Sequence, residues 1–191
     1  MKKNRTFHAR TNMRRQKGLT VLEIVIWTVV FTIVTGGIYA TFASWRKGDD
    51  IRTTNMIVDK IVDNAPNLRR SFGSFSGVDT TYVWGSTKLL DPTNKSQTTG
   101  KIRTPYSTDG ISVAPVNSAT LIDGTTLTGT NMFLSVTIKD VLDSSCQDVA
   151  EYWYPKALEV QVGATRVASP TAISTECNRV SNKTNIAIVV N

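Results

Sequence analysis

The stretch Leu19–Trp45, LTVLEIVIWTVVFTIVTGGIYATFASW, carries one charged residue in 27, Glu23. Val, Ile, Leu, Phe and Trp dominate it and no proline interrupts it, so it is read as a helix. At 1.5 Å per residue it extends about 40 Å, more than the roughly 30 Å hydrocarbon core of a bilayer. Thr20, Thr28, Thr32, Thr35 and Thr41 are tolerable in lipid because a helical threonine returns its hydroxyl to the backbone. Gly36-Gly37 is the one weak point in helix propensity and a place for close packing. Glu23 is the costly residue, since a carboxylate in an apolar helix is kept where something pairs with it.

The residues before this run explain that partner. The chain carries 22 basic and 15 acidic residues, and seven of the basic ones (Lys2, Lys3, Arg5, Arg10, Arg14, Arg15, Lys17) lie in residues 1–18, with no acid. The 15 that remain balance the acids, so the basicity belongs to the leader and gives little support to a nucleic-acid partner. Lys and Arg on one flank of an apolar helix hold that flank in the cytoplasm and send the C-terminal part outward. Cutting after Gly18 creates an amine at Leu19, one helical turn from Glu23, where the two charges neutralise each other in low dielectric. Gly18, with no side chain, lets a protease approach the backbone. An ordinary cleaved signal peptide has a shorter apolar region and a small-residue cut site at its end. A plain signal anchor explains the length of the run but neither Glu23 nor Gly18.

Residues 46–191 are long enough for one head domain with its own core. Its first part, 46–70, is amphipathic: Ile51, Val58, Ile61, Val62, Ala65 and Leu68 share a face, with Arg52, Asp59, Lys60 and Asp63 elsewhere. The apolar helix therefore continues as a core element and ends around Pro66 or a little later. Strands are expected at Tyr82–Trp84, Ile111–Val113, Asn131–Ile138, Ala157–Val162 and Asn185–Val190. A helix is expected from Asp140, as its cap, to about Tyr154. Trp84, Tyr106, Trp153 and Tyr154 are read as core rather than adhesive aromatics. Asp109-Gly110 and Asp123-Gly124 read as turns, and Asn94-Lys95-Ser96 and Asn182-Lys183-Thr184 as chance glycosylation patterns.

Cys146 and Cys177 are the only cysteines and lie on the outward side of the apolar run, which suggests one disulfide; two unrelated buried thiols are the alternative. The single histidine, His8, lies in the leader, so a chain cut at Gly18 has none for a Ser-His-Asp or Cys-His arrangement or a histidine-ligated metal. No phosphate-binding P-loop is present.

Lys17-Gly18-Leu19-Thr20-Val21-Leu22-Glu23 opening an apolar helix resembles the type IV prepilin signal. The resemblance covers residues 1 to about 45 and implies a pilin: an α+β fold with a long N-terminal helix packed on an antiparallel sheet. It implies cleavage between Gly18 and Leu19 by a prepilin peptidase, N-methylation of Leu19, and a role for Glu23 in assembly and register. Leu19 and the 18-residue leader are similar to type IVb rather than type IVa pilins. Cys146 and Cys177 then bound the exposed variable region of such pilins, and the stretch from Ser135 to Val162 is suggestive of conjugative thin-pilus and enteric type IVb subunits.

The expected function is a structural subunit of a surface filament serving adhesion, aggregation or mating-pair contact, with no catalysis and no cofactor or metal. The partners implied are further copies of the chain, the prepilin peptidase, an inner-membrane platform with a cytoplasmic ATPase and an outer-membrane secretin. The location is the inner membrane before assembly and an extracellular pilus after it. The alternatives are a minor pilin or type II secretion pseudopilin and, from another class, a signal-anchored extracytoplasmic enzyme or binding module.

Overall fold

The computed structural model describes residues 20–191 and falls into two units, divided between Ala43 and Ser44. Helix α1, Val21–Phe72, belongs to both. In the first unit its described side chains are exposed. By length and composition it is long and apolar enough to cross a membrane, and the most apolar window has nothing buried. The threonines behave as their chemistry dictates. Thr28 Oγ1 donates to the Ile24 carbonyl at 2.8 Å, Thr32 to Thr28 at 2.8 Å, Thr35 to Phe31 at 2.7 Å and Thr41 to Gly37 at 2.9 Å.

In the second unit α1 presents the expected stripe: Ile57, Val58, Ile61 and Ala65 are buried, with Ile51, Val62 and Leu68 packed at the margin. The helix outruns Pro66 and stops at Phe72. Pro66 is exposed, and the helix continues past the one backbone bond it forfeits. The stop comes from Gly73, whose φ of 73° only glycine takes without strain and whose N–H bonds the Arg69 carbonyl at 2.7 Å.

Five strands form one antiparallel sheet: β1 Ile111–Thr120, β2 Thr126–Leu142, β3 Glu159–Val162, β4 Thr165–Val167 and β5 Lys183–Val190, in the order β1-β2-β5-β3-β4. The architecture is thus α+β, a long N-terminal helix followed by an antiparallel sheet, as the sequence predicts. Alternation sends Leu134, Val136 and Ile138 of β2 and Ile186, Ile188 and Val190 of β5 to the main core. They pair directly across the two strands and meet α1, α3 (Asp143–Trp153) and α4 (Pro170–Asn178). The free edge of β1 is blocked by Thr80, whose Oγ1 accepts from Val113 N–H at 2.8 Å and donates to its carbonyl at 3.2 Å.

The opposite face has its own small cluster: Ala119, Phe133 and Val189, flanked by Val116, Leu127, Met132 and Leu158. The β1–β2 hairpin is longer than β5, and a register shift between Val116 and Ser118 bends it. Its far end is held by β3 and β4. Glu159, buried on that face, accepts from Thr120 N–H at 2.6 Å and from Gln161 Nε2 at 2.6 Å. Arg166 donates to the Leu121 and Ile122 carbonyls.

Two local expectations are corrected. Tyr82–Trp84 is not a strand but part of helix α2, Thr80–Gly85. Asp79 caps it, its Oδ1 accepting from Tyr82 N–H at 2.8 Å, and this local bond overrides the strand preference of Tyr-Val-Trp. Asp140 does not cap α3. It sits in an irregularity of β2 with φ 58°, because pairing with β5 continues to Leu142 and Lys183 and keeps the chain extended. Strand β4 and helix α4 had no counterpart in the sequence reading, although Ser169-Pro170 is a helix-start signal and Ser169 Oγ accepts from Ala172 N–H at 3.1 Å.

Replacing Glu159 with Ala should leave the Thr120 amide without its acceptor and cost about 1–3 kcal/mol. Hydrogen exchange is expected to quicken at Thr120 while the Ile186 and Ile188 amides stay protected; unchanged exchange at Thr120 would refute the strut.

Candidate functional site

Two regions carry the sequence-derived site residues, one in each unit. In the first, Gly18 and Leu19, the expected cleavage and methylation positions, lie outside the described residues. Glu23 is described, in the first turn of α1. Its N–H bonds the Thr20 carbonyl at 2.9 Å and approaches Thr20 Oγ1 at 3.3 Å. Thr20-Val21-Leu22-Glu23 has the spacing of a capping box, a signal present in the sequence but not read there. Glu23 also gains from the positive end of the helix dipole. A carboxylate at this place therefore helps to start the helix, in addition to any pairing it makes.

Beyond Glu23 the surface is apolar on every side. Fifteen large apolar side chains from Val21 to Trp45 are exposed, among them Trp27 at 65% and Trp45 at 76%. At about 1.5–3 kcal/mol for each such side chain fully buried, the surface is worth on the order of 20 kcal/mol or more. That exceeds the roughly 5–15 kcal/mol net stability of a typical domain. Water is thus the wrong solvent for this unit.

The second region lies on α3 and α4. Cys146 and Cys177 are joined by a disulfide with a Cα–Cα distance of 5.7 Å and a separation of 31 residues. Both are buried. In the chain-entropy account a loop of that length adds roughly 3–4 kcal/mol. The bond closes the segment that holds β3, β4 and most of α4.

A polar seam between α1 and α3 went unread in the sequence. Trp153, wholly buried as expected of a core aromatic, donates from Nε1 to Asn55 Oδ1 at 3.1 Å. Tyr152 Oη donates to Asp59 Oδ2 at 2.5 Å, with Lys156 Nζ at 3.4 Å from Asp59 Oδ1 and 3.5 Å from the Tyr152 ring centre. Desolvation opposes the Lys156 charge, but the Tyr152 hydroxyl and the Asp59 carboxylate outweigh it and raise its pKa. Lys47 pairs with Asp148 at 2.9 Å. The detectable signal was Thr54-Asn55, polar residues on a face otherwise apolar; their partners were beyond reach without the fold. The remaining aromatics are half-buried: Trp84 Nε1 reaches the Ser96 carbonyl at 3.4 Å and Tyr154 Oη the Ala168 carbonyl at 2.8 Å. The Tyr106 hydroxyl is buried with no partner in hydrogen-bonding geometry among the described residues, and burial raises its pKa against the opposing effect of Ser145.

Neither a protein-family model nor a curated protein matches the sequence.

Asp50, also on α1, has its pKa raised from the ordinary 3.8, by burial first and by Asp49 next, against Arg46. A carboxyl with a raised folded-state pKa favours folding when protonated. Its charge therefore costs stability once pH climbs past the unfolded value. Asp50→Asn is expected to raise the melting temperature of the full-length protein in detergent at pH 7, with the gain fading as pH falls through the raised folded-state pKa and absent below about 4. A gain that grows on acidification would contradict the stated environment.

Proposed function

We propose that this chain is a structural subunit of a type IVb-like pilus. The precursor is held in the inner membrane by its apolar helix, cut after Gly18 and methylated at Leu19 by a prepilin peptidase. It is then polymerised into a surface filament that serves adhesion, aggregation or mating-pair contact. A membrane platform with a cytoplasmic ATPase supplies the work, and a secretin passes the filament through the outer membrane.

The observation that carries the proposal is the exposed apolar half of α1 with one carboxylate in its first turn. Such a surface needs lipid before assembly and apolar protein after it. Identical subunits related by a non-closing rotation give a filament in which each helix buries its neighbours. Apolar burial supplies the affinity; one ion pair is worth far less, and after desolvation its value is chiefly positional. Glu23 of one copy meeting the Leu19 amine of another thus sets axial register. The disulfide-bounded region of α3 and α4 favours a pilin over a pseudopilin on the family pattern.

Electron microscopy of sheared surface fibres, with mass spectrometry of their main component, tests the proposal. Fibres built of a chain beginning N-methyl-Leu19-Thr20-Val21-Leu22-Glu23 are expected, and Glu23→Gln should abolish them or reduce them at least about tenfold, while the subunit still accumulates in the membrane. Glutamine at this place preserves a capping-box side chain; full piliation with it would remove Glu23 from assembly. An uncut leader in a monomeric protein would overturn the assignment.

A further inference from the structure

Two exposed tryptophans bracket the uncharged part of the apolar run. Trp27 and Trp45 are 65% and 76% exposed, and the 17 residues between them include no Asp, Glu, Lys or Arg. Polar groups begin just beyond each. Glu23 lies four residues before Trp27, and Trp45 is followed by Arg46, Lys47, Asp49 and Asp50. A shallow groove at that end is lined by Ser44, Trp45, Arg46, Gly48, Asp49 and Arg52. An aromatic ring with cationic and anionic groups beside it is matched to zwitterionic lipid headgroups, which carry both a phosphate and an ammonium group.

The spacing in sequence carries the argument further. Eighteen residues of α-helix rise about 27 Å. The hydrocarbon core of a bilayer is about 30 Å thick. Tryptophan concentrates at the two membrane–water interfaces, where its apolar ring and its N–H both find suitable surroundings. A neighbouring copy in a filament places no such demand on the separation of two rings along one helix. The bilayer does.

We propose that Trp27 and Trp45 are the two interfacial anchors of the unassembled subunit and fix its depth in the membrane. This rests on the inference that the apolar helix is membrane-inserted before assembly, but not on the filament. Trp45 and the Arg52 side of its groove engage phospholipid headgroups of the outward leaflet. Trp27 lies at the opposite boundary, and Glu23, about 6 Å further along the helix, falls among the headgroups rather than in hydrocarbon. Its carboxylate therefore stays hydrated in the membrane, and the desolvation cost is met only when the helix leaves lipid for other helices.

The test is depth-resolved fluorescence quenching of the full-length protein in phosphatidylethanolamine–phosphatidylglycerol vesicles. The vesicles contain phosphatidylcholine brominated either near the headgroup or near the chain end. Trp27→Phe and Trp45→Phe isolate each ring by difference, so Trp84 and Trp153 cancel. Val34→Trp, in a chain that also carries both Phe substitutions, marks the middle of the span. Both native rings should be quenched about twofold or more better by the shallow bromine than by the deep one, and the ring at position 34 the reverse. If the ring at 34 prefers the deep bromine but Trp27 or Trp45 does too, or is not quenched, the anchors are wrong while membrane insertion stands. If none of the three is quenched, insertion falls and the anchors with it. Filament formation is read in neither case, so the pilin assignment is tested separately.

Discussion

The apolar half of α1 cannot be left in water, and most of what is proposed for this chain follows from that constraint. Roughly 20 kcal/mol of unburied surface is more than a head domain of this size holds in reserve. The surface is uniform around the helix, and the four threonines within it turn their hydroxyls back to the backbone. Glu23 is the one charged group on it before Arg46. A surface of that kind accepts lipid and accepts copies of itself, which is what a subunit that moves between the two requires.

The head is organised so that it does not depend on that surface. Its core is built from the amphipathic part of α1, the main face of the sheet and the inner faces of α3 and α4. Directional bonds then locate the pieces: Asn55 to Trp153, Asp59 to Tyr152, Glu159 to Thr120. Thr80 closes the β1 edge, which limits strand-to-strand aggregation in a protein proposed to associate through a helix. The disulfide secures the segment between α3 and α4, where the chain has short elements and much loop.

How much of this was legible in the sequence depended on the range of the physics involved. The apolar run, the stripe from Ile51 to Leu68 and the alternation in Asn131–Ile138 and Ala157–Val162 are strong periodic signals, and the elements they specify are present. Short polar signals were harder to weigh. Asp79 decided the state of Tyr82–Trp84 with one side-chain bond, and Ser169-Pro170 started a helix inside a Thr- and Ser-rich stretch. Asp140 shows the opposite failure: a good cap residue was overruled by pairing with β5, a partner more than 40 residues away in sequence. Of the candidate site, Glu23 and the cysteine pair are described, Gly18 and Leu19 are not, and the seam of Asn55, Asp59, Tyr152 and Trp153 needed the fold to bring it together.

The central claim is that association resides in the apolar helix and not in the head. Sedimentation of the full chain and of residues 46–191, each after detergent removal, measures it directly. The account expects the head to remain a soluble monomer with its disulfide intact and the full chain to form large assemblies. Two samples in the same association state, whether both monomeric or both assembled, would contradict it.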